Sequence, residues 1–219
     1  MRLVTRIISA GVLVLSGAAS AQMRDPQPIQ CAKVESECLR ALGSLGERRG
    51  EVLTLRFRNG KTKSYTSNEE ACEEDDAEKC VRFYIVGYRP AQQLVIIGWQ
   101  TYENGGSEVV HTRGGTSATL ADRPEFSPNG RWFVSIGSDD ANDNGYDVRI
   151  WETPADGPRL AFDYRPPEGR YESWTFRGWE SNRRIKLTVS KRVGDQLPEL
   201  PAEAVYSEGA WRLRVKESE

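Results

Sequence analysis

The sequence predicts an all-β fold with one short N-terminal helix, arranged as a β-propeller-like stack of about three to four blades. Short apolar segments recur roughly every 8–12 residues along most of the chain, each bounded by Gly, Pro, Asn or Asp. Three segments from Tyr88 onward repeat one pattern at a spacing near blade length, about 40 residues. Six Trp, eight Tyr and six Phe among 219 residues supply rings large enough to fill the faces between stacked sheets. A β-sandwich or an open barrel is the alternative that the same spacing allows.

Residues 1–21 read as a leader. Arg2 and Arg6 form a positive head, Ile7 to Leu15 is an apolar run, and Ala19-Ser20-Ala21 sets small side chains before Gln22. That is the three-part pattern of a secretory signal peptide, with cleavage expected after Ala21 and a bacterial periplasmic or extracellular destination. The apolar run is shorter than the roughly 20 residues that cross a bilayer. No later run reaches that length, so no membrane span is expected in the mature chain. The formal net charge is −2, from 30 Lys+Arg against 32 Asp+Glu. Nucleic-acid binding needs clustered positive charge to release counterions and is not expected.

Residues 22–50 form an N-terminal segment. Cys31, Val34, Cys38, Leu42 and Leu45 fall near helical spacing, one face of a short helix ending around Gly43 or Gly46. Four cysteines (Cys31, Cys38, Cys72, Cys80) in an oxidising compartment predict two disulfides. The spacings of seven and eight do not match zinc-ligand pairs, and no C-x-x-C occurs. Local pairing, Cys31–Cys38 and Cys72–Cys80, is favoured because it closes short loops. The helix geometry leaves open that both early cysteines reach across to the later two. Glu69, Glu70, Glu73, Glu74, Asp75, Asp76 and Glu78 surround Cys72 and Cys80 and read as a solvated, clamped loop, with Ser67 and Glu70 resembling a capping box.

Residues 51–219 form a β-meander. Val52 to Phe57 and Lys61 to Thr66 flank Asn59-Gly60, a hairpin turn whose two positions accept positive φ. Further strands are expected at Val81–Tyr88, Leu94–Gln100, Glu108–Thr112, Trp132–Ile136, Asp147–Glu152, Leu160–Tyr164, Tyr171–Trp179, Ile185–Ser190, Ala204–Tyr206 and Trp211–Val215. Tyr88-Arg89-Pro90 leading into Leu94–Gly98 parallels Phe126-Ser127-Pro128-Asn129-Gly130 leading into Trp132–Ile136. Trp179 to Val189 is a looser third copy. In each full copy Pro presets the first turn position, and a left-handed residue follows.

Phe126-Ser127-Pro128-Asn129-Gly130-Arg131-Trp132-Phe133-Val134-Ser135 resembles the opening of WD40-like β-propeller repeats of the TolB type, and Gly145 to Trp151 is similar to the third strand of such a blade. The whole arrangement resembles small secreted bacterial proteins with one such blade. The resemblance covers about 30 residues, one blade. It implies a role in protein interaction or ligand display, with no catalytic residues to carry over.

Asp140-Ala141-Asn142-Asp143-Asn144-Gly145 matches the start of a calcium loop, with Asp140, Asn142, Asn144 and Asp147 as the candidate Ca²⁺ ligands. No other cofactor is expected. His111 is the single histidine, alternates along a strand, and reads as a strand-face residue rather than a catalytic base. Asp122, Glu125 and Asp163 are the carboxylates a glycoside hydrolase would need. Trp132 and Trp151 are expected to fill the core. Trp174, Phe176 and Trp179 are the candidate aromatic binding set. The expectation is a secreted, non-catalytic module that binds a periplasmic protein or a glycan. A Ca²⁺-dependent or carbohydrate-binding domain comes second, and a carboxylate-dependent hydrolase third.

Overall fold

A computed structural model describes residues 27–31, 34–137, 147–192, 194 and 196–216. The signal peptide expected at 1–21 lies outside them. In chain order the elements are β1 (Ile29–Gln30), α1 (Glu35–Leu42), β2 (Gly46–Arg49), β3 (Val52–Arg56), β4 (Thr62–Thr66), α2 (Glu69–Glu73), β5 (Val81–Arg89), β6 (Leu94–Thr101), β7 (Gly105–His111) and β8 (Ser117–Leu120). There follow β9 (Glu125–Phe126), β10 (Trp132–Gly137), β11 (Asp147–Glu152), β12 (Arg159–Tyr164), β13 (Glu172–Ser181), β14 (Arg184–Lys191), β15 (Glu199–Ser207) and β16 (Ala210–Val215).

The strands form four antiparallel sheets. The first is β2-β3-β4, the second β1-β5-β6-β7-β8, the third β9 to β12 and the fourth β13 to β16. Apart from β1, which joins the edge of β5, every strand pairs with its neighbour in sequence. Local hairpins therefore build the whole molecule. The all-β expectation with a short N-terminal helix holds.

Three buried clusters fasten the sheets face to face in chain order. Leu53, Leu55 and Tyr65 of the first sheet meet Ile85, Val95, Ile97 and Val110 of the second, with Cys38 and Leu42 of α1 closing one side. Leu94, Ile96 and Val109 leave the other face of the second sheet and meet Phe133 of the third. Trp132, Val134, Val148 and Ile150 then meet Trp174, Ile185, Leu187 and Ala204 of the fourth.

The sequence pattern follows from this order. Successive side chains on a strand point to opposite faces, so a strand covered on both sides must be apolar throughout. Leu94-Val95-Ile96-Ile97 and Trp132-Phe133-Val134 are such runs, all buried. In the terminal sheets only one face is covered, and apolar residues alternate with polar ones. Leu53 and Leu55 are buried between half-buried Val52 and Thr54 and exposed Arg56, and Ile185, Leu187 and Val189 alternate with Arg184, Lys186 and Thr188.

The hairpins β3–β4, β5–β6, β7–β8, β9–β10, β11–β12 and β13–β14 all open toward one end of the stack, and there they interlock. Arg58 and Asn59 donate backbone N–H groups to the Thr112 and Arg113 carbonyls at 3.1 and 3.2 Å. Gly157, at φ +116, lies against Thr116 and His111, where a Cβ would meet His111 at 3.1 Å. Gly130, at φ +68, lies against Gln92 and Arg89. Asn129 donates its backbone N–H to the Asn182 side-chain oxygen at 3.0 Å. The three similar segments therefore occupy equivalent hairpins of three consecutive sheets, and those hairpins touch. The left-handed residue is Gly130 in one copy but Gln93, one place later by the alignment, in the other.

The favoured cysteine pairing holds, while several other local expectations are corrected. Cys31 precedes α1 and bends back to Cys38, and Cys72 pairs with Cys80, so the local pairing is the observed one. Val34 is not on the helix face. It precedes the first turn and is 47% exposed. The α2 cap is Asn68, whose side chain accepts from Ala71 N at 3.1 Å. Ser67 instead accepts from Phe83 N at 2.9 Å, because the edge of β5 needs a partner there. At Asn59-Gly60 only Gly60 is left-handed. Phe57 N bonds the Lys61 carbonyl, and the Asn59 amide reaches Gly114 O, so a longer turn is set by the neighbouring sheet. Strands β1 and β2 carry no clear apolar alternation and are not among the expected strands; β8 is also unexpected, and it alternates exposed Ser117 and Thr119 with buried Ala118 and Leu120 over only four residues.

Candidate functional site

The opposite end of the stack is built from the β6–β7 turn and the connections between sheets. The connection from β8 to β9 crosses from the second sheet to the third as Ala121-Asp122-Arg123-Pro124, and both of its ends are tied down. Ser107, fully buried on β7, donates its hydroxyl to the Asp122 carbonyl at 2.7 Å. Trp179 of β13 donates its indole N–H to the Glu125 carbonyl at 3.1 Å. Asp122 accepts from Arg123 N at 2.6 Å, which turns the chain sharply. Ala121 packs on Gly137, where a Cβ would come within 2.5 Å.

Three clefts meet at Arg123. One, of about 360 Å³, runs between the third and fourth sheets and is lined by Val134, Ile136, Trp174 and Phe176, with Asp122, Arg123 and Glu125 at its polar side. The second, of about 390 Å³, lies along the second sheet and includes Tyr84, Gln100, Tyr102, Asn104, Asp122 and Arg123. The third, of about 180 Å³, includes Arg89, Ile96, Arg123, Glu125 and Phe126. Tyr102 is one of four large apolar side chains exposed among the described residues.

The charges at this junction differ from those elsewhere. Buried or half-buried carboxylates of the fold are paired. Glu108 meets Lys63 and Tyr65, Glu172 meets Lys191 and Tyr164, and Glu35 meets Arg48. Burial alone would raise Glu108, yet Lys63, Ser117 and Tyr65 outweigh it and hold the carboxyl below its usual range. No salt bridge reaches Asp122, Arg123 or Glu125 among the described residues, and the Arg123 guanidinium makes no hydrogen bond there. Burial, and then the nearby Asp122, push the Glu125 carboxyl above its usual range, with Arg123 opposing.

The candidate residues divide accordingly. Trp174 and Phe176 both line the 360 Å³ cleft, but Trp174 is 4% exposed and belongs to the core, its indole N–H donated to Glu172 at 3.2 Å. Trp179 positions Glu125 and does not line the cleft. Trp132 is core, and Trp151 stacks on Phe133 at 6.0 Å. Asp140, Asn142 and Asn144 lie outside the described residues. Asp147 opens β11, is 4% exposed, and its carboxylate meets Arg149 at 2.8 Å and Arg165 at 3.8 Å. Among the described residues no three His, Cys, Asp or Glu side chains are grouped to hold a metal.

His111 ends β7, is 1% exposed, and neither ring nitrogen has a hydrogen-bond partner. Burial lowers its pKa, Arg113 lowers it further, and Asp156 opposes. Of the three carboxylates, Asp122 and Glu125 come together, while Asp163 stands on β12 against Arg149 and Arg165. Arg123 was missed from sequence because a lone Arg beside a Pro carries no pattern. Compared with protein-family models, curated proteins and solved structures, the chain matches none.

Proposed function

We propose that this chain is a non-catalytic binding module of the bacterial cell envelope, built as a stack of propeller-like blades, that recognises its ligand through the end where the three clefts meet. The observation that carries the reading is the junction at Arg123. Three adjoining clefts share one exposed guanidinium, Asp122 and Glu125 each line two of them, and among the described residues none of the three groups makes a salt bridge. Interface sites favour such Arg and aromatic groups, and ligand sites combine an apolar wall with a few polar groups. The two disulfides and the leader expected at 1–21 support an oxidising compartment. No helix among the described residues is long and apolar enough to cross a membrane. A non-catalytic reading is favoured because the one histidine is buried and neither of its ring nitrogens is hydrogen-bonded.

The test is capture from periplasmic extract by the chain starting at Gln22, beside a double variant with the junction charges exchanged, Arg123→Glu with Glu125→Lys. Loss of the captured species in the variant is expected. Identical capture by both proteins overturns the assignment of this end.

A further inference from the structure

We infer that the cleft between the third and fourth sheets binds a small zwitterion with an apolar side chain, an apolar α-amino acid, its carboxylate on Arg123 and its ammonium on Asp122 and Glu125. The inference rests on the binding-module reading and names the ligand class of that site.

The volume decides the size. At about 360 Å³ the cleft sits at the lower bound of ligand pockets, about 300–1,000 Å³. It admits one small molecule rather than a chain. The walls decide the polarity. Val134, Ile136 and Phe176 offer no hydrogen-bonding side-chain atom, the one on Trp174 is already donated to Glu172, and the Thr175 hydroxyl is the one polar side-chain group among these wall residues left to a ligand. An apolar substituent fits most of that wall without leaving a polar group unsatisfied. The mouth decides the charge. Asp122, Arg123 and Glu125 all line the cleft, so it presents both signs of charge to a ligand. An α-amino acid carries its ammonium and carboxylate on one carbon and matches that arrangement. A guanidinium takes a carboxylate through paired N–H donors.

The backbone of the mouth is tied down. Ser107 holds the Asp122 carbonyl from the second sheet and Trp179 holds the Glu125 carbonyl from the fourth, so the chain that carries the charged groups is set before a ligand arrives. The raised carboxyl of Glu125 has no cation in salt-bridge contact, and an ammonium beside it relieves that cost.

The experiment is calorimetric titration and thermal melting of the chain from Gln22 with L-leucine and L-phenylalanine, beside leucinamide, N-acetyl-leucine and glycine, each at up to about 10 mM. Both apolar amino acids are expected to raise the Tm. Leucinamide and N-acetyl-leucine, each lacking one charge, are expected to bind at least about tenfold more weakly, and glycine not measurably. Arg123→Gln should bring leucine down to leucinamide, and Glu125→Gln should narrow the gap between leucine and N-acetyl-leucine. Both side chains are exposed, so both variants fold. Absence of binding by either amino acid, or binding indifferent to the two charges, overturns the inference. If that happens while capture from extract still depends on the junction charges, the ligand class falls and the binding-module reading stands. If capture is also indifferent, both fall.

Discussion

At one end of the stack Asn59 reaches into the second sheet, Gly130 lies on Gln92 and Arg89, and Asn182 holds Asn129. At the other end each sheet passes to the next through one connection, and among the described residues Asp122, Arg123 and Glu125 make no salt bridge. The hairpin end spends its polar groups on neighbouring sheets. The cleft end leaves them facing solvent and clefts, and secures its largest loop locally, through the Cys72–Cys80 bond beside α2. Interlocked hairpins and unpaired charges thus stand at opposite ends, and the proposed binding surface rests on a scaffold secured at its far end.

The sharpest way to break that division is at the hairpin end. Trp132 follows the Gly130 turn, is 3% exposed, and packs edge-on to Trp211 with ring centroids 5.4 Å apart. Trp132→Ala should lower unfolding free energy by about 3–5 kcal/mol in urea titration. A smaller loss should come from the cleft end by a different route. Replacing Cys72 and Cys80 with Ala frees a short loop and should cost about 2.5 kcal/mol. Amide exchange at the interlocked hairpins should then stay protected, and general loss of protection there would show that the ends are not separable.

Gly130→Ala should cost about 1–3 kcal/mol, from its left-handed backbone and from the Gln92 side chain where the methyl must go. Acid should act on the two ends in opposite senses. His111 has a folded pKa below its ordinary 6.5, so its contribution is complete above that value and is lost as pH falls below it. Glu125 has a folded pKa above its ordinary 4.5, so its contribution is present below that value and is lost as pH rises through the folded one. Melting between pH 7 and pH 5, the window in which histidine changes charge, should show a decline that His111→Leu flattens. The smallest effect belongs to Arg123→Gln, within about 0.5 kcal/mol in stability, since an exposed unpaired side chain adds little to the fold.

Much of the fold was legible because hairpin-built sheets write themselves locally. Apolar runs located β5, β6, β10 and β14 to within about a residue or two, near the accuracy expected at element boundaries. The Pro turns of Arg89-Pro90 and Ser127-Pro128 located equivalent hairpins. What escaped was set by distant partners. Strands β1 and β2 are polar or short and are recruited by β5 and β3. Asn59 adopts its turn because Gly114 accepts its amide. The site was half legible. Trp174 and Phe176 were visible as an aromatic pair, and Asp122 and Glu125 as carboxylates. Their meeting with Arg123 depends on Ser107 and Trp179, which lie 15 and 54 residues from the groups they hold.

The sheets stack in the order in which they are written, and each interior face is completed by the next sheet along the chain. A polypeptide delivered from one end therefore covers each apolar face with the next sheet it makes. Each new meander closes the previous one, loop-closure entropy stays small, and collapse proceeds stepwise. The longest exposure falls on Trp132, whose outer face is completed only once Tyr206 and Trp211 have emerged.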